Sequence, residues 1–172
     1  MLIETLNQFE YFEQLVAEVK DLVERVPFQE PIYQLALQTD NPDVTDWYTS
    51  CGRVEKVNSR INEMDYQHIQ PELKGSYIEK WINSFDKPLF RTRLLFMNPR
   101  TCYSIHKDYL PRIHLPVTTN PQCLMCFPQH GIMQFLQNTG HSYWVDTRQM
   151  HTFMNCSEHT RIHLVAVVSD DA

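Results

Sequence analysis

From Leu89 onward the chain breaks into short apolar segments separated by turn-forming residues, a rhythm that few architectures accommodate. Eight segments are read, at 89–97, 102–106, 112–118, 123–127, 132–136, 142–145, 150–154 and 161–168. Asn98-Pro99, Asn120-Pro121, Gly131, Gly140 and Asn155 fall between most of them. Strands of this length and spacing close most readily into a sandwich or jelly roll. The preceding half reads differently. Residues 2–26 carry apolar side chains at helical spacing (Leu2, Leu6, Phe9, Phe12, Leu15, Val19, Leu22, Val26) until Pro27 stops them. Ile32–Leu37 reads as a strand, 38–70 shows no clear period, and Pro71–Phe85 reads as a second helix with Pro71 in its first turn. The expectation is a mainly β, α+β chain forming a single domain over 1–172. Its helical N-terminal elaboration spans 1–88, packed on one side of a jelly-roll core over 89–169.

Composition narrows the function. The 172 residues carry a formal net charge of −6, which speaks against a nucleic-acid partner that would demand gathered positive charge. No apolar run approaches the roughly 20 residues that span a bilayer, and the acidic opening MLIETLNQFE does not read as a signal peptide; the expected location is the cytoplasm, without membrane contact. Only 4 Gly stand against 10 Pro, and no glycine-rich phosphate loop is present. The 5 cysteines are odd in number and read as free thiols. Cys123-Leu-Met-Cys126 has zinc-ligand spacing without a second pair, and reads as a buried strand.

Seven of the 8 histidines follow position 100. In His106-Lys107-Asp108 an imidazole and a carboxylate two residues apart point to one side of an extended chain. His151, in another predicted strand, offers a third ligand, with His141, His159 and His163 as competitors. Two histidines and one carboxylate on one face of an octahedral ion are the set used by non-haem Fe(II) oxygenases. Arg161 opens the strand RIHLVAVV, where burial without an anion would be costly and where its planar fork suits a carboxylate. Arg112 and His114 alternate with Ile113, Leu115 and Val117 in PRIHLPV, so they share a side opposite the aliphatic residues. His163 shares the side of Arg161. Asn155 reads as a turn cap or a substrate contact, and Trp144, beside Tyr143 and Asp146, as core or as an arm covering the site.

The ordered series H-x-D, RIHLPV, a Gly-containing hairpin, H-x-x-x-N and RIHLV resembles the aspartyl/asparaginyl β-hydroxylase-like branch of the 2-oxoglutarate/Fe(II) dioxygenases. It covers about residues 89–169. The resemblance implies a double-stranded β-helix of cupin type, with Fe(II) on His106, Asp108 and His151. It favours His151 over its competitors because an Arg strand follows at the family's spacing. It also implies that Arg161 pairs with the distal carboxylate of 2-oxoglutarate as co-substrate, with Arg112 and His114 near the chelating end. His163, Asn155 and Trp144 are further pocket candidates. The implied reaction is O2-dependent hydroxylation of an amino acid, an Asp/Asn-type side chain in a peptide or protein, or a related small molecule. Two other classes stay open: a jelly-roll metalloprotein with hydrolase or isomerase chemistry, and a non-catalytic cupin-like binding module.

Overall fold

A computed structural model describes residues 1–52 and 62–169. The chain is mostly antiparallel β-sheet with two α-helices. Its elements are β1 (Ile3–Gln8), α1 (Phe12–Arg25), β2 (Gln34–Ala36), β3 (Gln38–Thr39), β4 (His68–Ile69), α2 (Tyr77–Ile82), β5 (Leu89–Met97), β6 (Thr101–Cys102), β7 (Arg112–Thr118), β8 (Cys123–Phe127), β9 (Ile132–Phe135), β10 (His141–Val145), β11 (Thr152–Asn155) and β12 (Arg161–Val168). The large sheet runs β1-β10-β7-β12-β5-β2, and the facing one β6-β11-β8-β9. Two facing antiparallel sheets make the jelly roll that the strand rhythm predicts.

The alternation of side chains along β7 and β12 divides the interior. Ile113, Leu115 and Val117, with Ile162, Leu164, Ala166 and Val168, turn toward the helices. There they meet Phe12, Leu15, Val19 and Leu22, the buried stripe of α1. Trp81 of α2 is fully buried in this layer, and its indole N–H donates to the Ser142 hydroxyl at 3.0 Å. A second apolar cluster between the sheets contains Met97, Met125, Phe127, Tyr143, Val145 and Phe153. Among the described residues, no helix is long and apolar enough to cross a membrane.

Three local expectations need correction. Residues 3–8 form an edge strand, not the start of a helix. Leu2, Leu6 and Phe9 match helical spacing, but the open edge of β10 supplies a ladder, with Ile3 opposite Val145 and Thr5 opposite Tyr143. The helix begins only at Phe12, after the Phe9 amide has donated to the Gly140 carbonyl. The predicted helix over Pro71–Phe85 is split. Pro71–Leu73 is a 3-10 turn, Gly75 at φ 84° redirects the chain, and Ser76 caps α2 by accepting from the Glu79 amide at 3.0 Å. Glu18 of α1 accepts the Tyr77 and Ile78 amides at 2.8 and 3.1 Å, so a carboxylate from one helix satisfies the open N-terminus of the other. Finally, the segments at 102–106 and 150–154 are strands only over Thr101–Cys102 and Thr152–Asn155, with His106 and His151 joined by an isolated bridge. Of the unassigned stretch 38–70, β3 and β4 pair with each other, and 53–61 lies outside the described residues.

Candidate metal centre

His106 and His151 face each other across that bridge. The His106 amide donates to the His151 carbonyl at 3.0 Å, and the His151 amide to the His106 carbonyl at 2.8 Å. Their ring centres are 4.4 Å apart. Each imidazole then uses Nδ1 as a donor to a carbonyl two residues upstream: Ser104 at 2.7 Å for His106, Gln149 at 2.9 Å for His151. A donating Nδ1 leaves Nε2 as the lone-pair nitrogen, the tautomer a metal requires. The Asp108 amide donates to the Thr147 carbonyl at 2.8 Å, which brings its carboxylate to the same point. The ligand atoms of His106, Asp108 and His151 all lie within 4.8 Å of one another. No other cluster of three or more potential metal-ligating side chains occurs among the described residues. Cys123 and Cys126 both lie in β8, with free thiols bonded to Asn155 Oδ1 and the Leu124 carbonyl.

Electrostatics favour the deprotonated ligand set. Burial works against ionisation of Asp108, but the Arg112 guanidinium and then the two imidazoles outweigh it and hold its carboxyl below the usual range. Arg112 Nε stands 3.2 Å from Asp108 Oδ2. Burial likewise pushes His151 down, toward the neutral imidazole that binds metal.

Beyond these three side chains, the inward side of β7 and β12 carries polar groups with no partner among the described residues. Arg161, 1% exposed, lies with Cζ 4.1 Å from the centre of the Phe153 ring, and its Nε and Nη1 have no partner among the described residues. Both ring nitrogens of His163 and Nδ1 of His114 are also buried and unpartnered. A guanidinium beside donor-rich imidazoles, with no carboxylate paired to it among the described residues, calls for an anion. The arrangement therefore fits a divalent metal flanked by a bound carboxylic acid. Of the other pocket candidates, Asn155 is occupied by the turn that follows it. Its Oδ1 accepts from the Ser157 amide at 3.1 Å, and its Nδ2 donates to Met97, Asn98 and His159 carbonyls. Trp144 points away from the inter-sheet space and packs against the helix-side core. His141 sits at the start of β10 bonded to Thr139, and His159 is exposed.

Sequence reasoning missed Glu63, Arg91 and Arg93. All three are buried, and Glu63 accepts Arg91 Nη1 at 2.6 Å and Arg112 Nη2 at 2.9 Å. The signal for Arg91 and Arg93 was present in LFRTRLLFM, where cations interrupt an apolar strand as Arg161 does; Glu63 lies in a stretch without period and gave none.

Burial, then Arg161, His151 and Arg112, push His114 down to about 3, against an ordinary 6.5. The unfolded chain therefore binds a proton there that the folded chain does not, so stability rises with pH across that interval. The metal-free protein is expected to lose stability steadily as pH falls from 6.5 toward 3. In His114→Gln, the urea midpoint should depend less on pH over this range; an identical dependence would contradict the assignment.

No family model and no curated protein matches this chain. Solved structures do. A viral collagen prolyl hydroxylase from Paramecium Bursaria Chlorella virus-1, solved with 2OG, aligns at TM-score 0.56 and 11% identity over 98% of this chain and 96% of its own. A 2OG-Fe(II) oxygenase family oxidoreductase from Burkholderia pseudomallei aligns at TM-score 0.56 and 14% identity over 97% of this chain and 84% of its own. AviO1 from Streptomyces viridochromogenes aligns at TM-score 0.55 and 13% identity, covering 99% and 90%. What this chain shares with these proteins is the fold.

Proposed function

We propose that the chain is an Fe(II)- and 2-oxoglutarate-dependent dioxygenase that hydroxylates an amino acid, an Asp/Asn-type side chain or a related small molecule, as in the aspartyl/asparaginyl β-hydroxylase-like branch. One observation carries this reading: a His-His-Asp cluster lies in the same inter-sheet space as Arg161, a buried guanidinium with unpartnered nitrogens and no paired carboxylate among the described residues. A hydrolytic metal site has no use for that arginine. The similarity of fold supports the reading at the level of class.

Bound Fe(II) and 2-oxoglutarate supply the oxidising chemistry, O2 activation coupled to decarboxylation of the co-substrate. The chain's own residues prepare for it. His106, Asp108 and His151 hold the metal by one face and leave the other for exchangeable ligands. Arg112 fixes Asp108 through one carboxylate oxygen. Arg161 receives the distal carboxylate of the co-substrate, His163 lines the route to it, and His114 and Arg112 border the chelating end. Phe153 and Phe127 wall this space and exclude water.

The test is anaerobic addition of Fe(II), then 2-oxoglutarate, to the metal-free protein. A visible metal-to-co-substrate charge-transfer band is expected. In Arg161→Ala the band should require at least about tenfold more 2-oxoglutarate, the loss of one charged, buried pair, while Fe(II) affinity is kept. No band at saturating metal and co-substrate would overturn the reading. Unchanged 2-oxoglutarate affinity in the variant would remove Arg161 from its role.

A further inference from the structure

The register of the large sheet sets a second cationic centre beside the metal ligands. Arg93 of β5 and His114 of β7 both pair with Val165 of β12 from opposite sides, so they face the same way in one row. Arg112 lies two residues along β7, opposite Val167. Arg91, with φ 47°, brings a third guanidinium to the group. Glu63 serves two of the three: Arg91 Nη1 at 2.6 Å, and Arg112 Nη2 at 2.9 and 3.1 Å from its two oxygens. Arg91 is completed by the Ser50 and Gly52 carbonyls.

Arg93 is treated differently. Its Nη1 donates to the Gln34 amide oxygen at 2.8 Å and its Nε to the Arg91 carbonyl at 3.4 Å, both neutral acceptors. No ion pair involves it among the described residues. Beside it, Arg112 Nη1 is buried without a partner among the described residues. Arg93 is 5% exposed and Arg112 4%. Burial, then Arg91 and Arg112, push the Arg93 pKa down to about 9, the mark of a cation lacking its counter-charge.

Charge balance sharpens the point. A divalent metal, dianionic 2-oxoglutarate, Asp108 and Arg161 neutralise one another. With Asp108 counted toward the metal, Arg91, Arg93 and Arg112 have Glu63 as their remaining carboxylate among the described residues, which leaves two positive charges in excess there. Among the described residues no further carboxylate balances this excess on the side of Asp108 where Arg112 stands.

We propose that Arg93, with the free edge of Arg112, binds a carboxylate of the primary substrate, which is a small carboxylic acid such as a free amino acid. A guanidinium fork matches a planar carboxylate. With both arginines almost wholly buried, the acid enters end-on, and a small free acid reaches them without a flanking backbone to accommodate. Glu63 is a positioning residue: it holds Arg112 by Nη2 and leaves Nη1 for the ligand. The assignment of this acid as the molecule oxidised rests on the dioxygenase reading, but its binding does not.

The experiment is calorimetric titration of the full chain, alone and loaded with Mn(II) and 2-oxoglutarate. The probes are the free L-amino acids and the C3–C6 hydroxy- and dicarboxylic acids. Any binder is then repeated as its carboxamide and as a residue within a blocked peptide. At least one acid is expected to bind, with its amide and peptide at least tenfold weaker. Arg93→Gln should weaken the acid at least tenfold while 2-oxoglutarate affinity stays within twofold. Should Arg93→Gln not fold, Arg93→Lys, which keeps the charge but not the fork, should weaken the acid several-fold. The proposal is overturned if no acid binds, if acid and amide or peptide bind alike, or if the Arg93 variants leave the acid unaffected or weaken 2-oxoglutarate instead. Failure of the dioxygenase reading shows separately, as absence of the Fe(II) charge-transfer band while the unloaded chain still binds the acid through Arg93.

Discussion

Asp108→Ala is expected to abolish Fe(II) binding at micromolar metal and with it all 2-oxoglutarate turnover. Loss of a partner that merely orients a ligand already costs about 10–100-fold in metal affinity, so removing the only anionic ligand should cost more than about 100-fold. The geometry makes a sharper forecast than a lost ligand alone. Asp108 Oδ2 stands 3.2 Å from Arg112 Nε, so the variant leaves a guanidinium facing two imidazoles that would have to share a dication. Asp108→Asn keeps the shape but not the charge and should fail almost as fully. Metal titration followed by tryptophan or visible absorption reads both variants, with circular dichroism to verify folding. A variant that folds and still binds Fe(II) with native affinity would remove Asp108 from the metal site.

The second large effect is on stability. Glu63→Ala takes away the carboxylate that Arg91 and Arg112 share in the interior, leaving Arg91 beside Arg93 with no anion among the described residues and Arg112 with Asp108 alone. Breaking a buried ion pair from one side costs about 3–5 kcal/mol, a large share of the roughly 5–15 kcal/mol that holds a domain together. A fall in Tm on the order of 10 °C is expected for a chain of this size. The pH sense follows from the direction of the shift. Burial alone would raise the Glu63 pKa, but Arg112, Arg91 and Arg93 outweigh it, so the folded value lies below the ordinary 4.5. The contribution of Glu63 is therefore complete above 4.5 and is lost as pH falls through the depressed folded value. Thermal melts at neutral pH should separate wild type and Glu63→Ala widely, and melts in strong acid should bring them together. Saturating acetate should restore part of the lost stability, since a small carboxylate fits the space vacated. Equal melting temperatures at neutral pH would show that the cluster does not depend on this group.

What the sequence makes visible here follows from how locally each feature is encoded. His106 and Asp108 lie two residues apart, so a strand count already sets them on one side, although the structure holds them by an isolated bridge at His106 and by the Asp108 amide on the Thr147 carbonyl. Arg112, His114, Arg161 and His163 could be set on one side of two strands by the same count of two, and the structure buries all four on the side away from the helices. The jelly roll was legible because turn formers mark nearly every strand end. Where periods coincide, legibility fails: Leu2, Leu6 and Phe9 satisfy a helical spacing, and only the empty edge of β10, a tertiary fact, makes them a strand and a turn. Glu63 is invisible for a related reason. It approaches Arg91 and Arg112 from a 3-10 turn, Glu63–Asp65, whose neighbours show no hydrophobic rhythm. Trp144 was ambiguous because an aromatic on a two-sided strand carries no signal of which side it takes, and it takes the helix side.

The two histidines of the candidate metal centre each set their tautomer against a carbonyl only two residues upstream, Ser104 for one and Gln149 for the other. Each ligand is thus oriented within its own tripeptide. The guanidiniums on the far side of Asp108 are held together by strands and turns drawn from well-separated parts of the chain. The molecule is therefore modular at the atomic scale: a candidate metal centre specified in short stretches, and an arginine cluster assembled from long-range contacts. On the proposed dioxygenase function, substitutions that remodel the arginine side would redirect which molecule is accepted while the oxidising end is inherited unchanged, and a laboratory search for new substrates would begin at Arg91, Arg93 and Glu63.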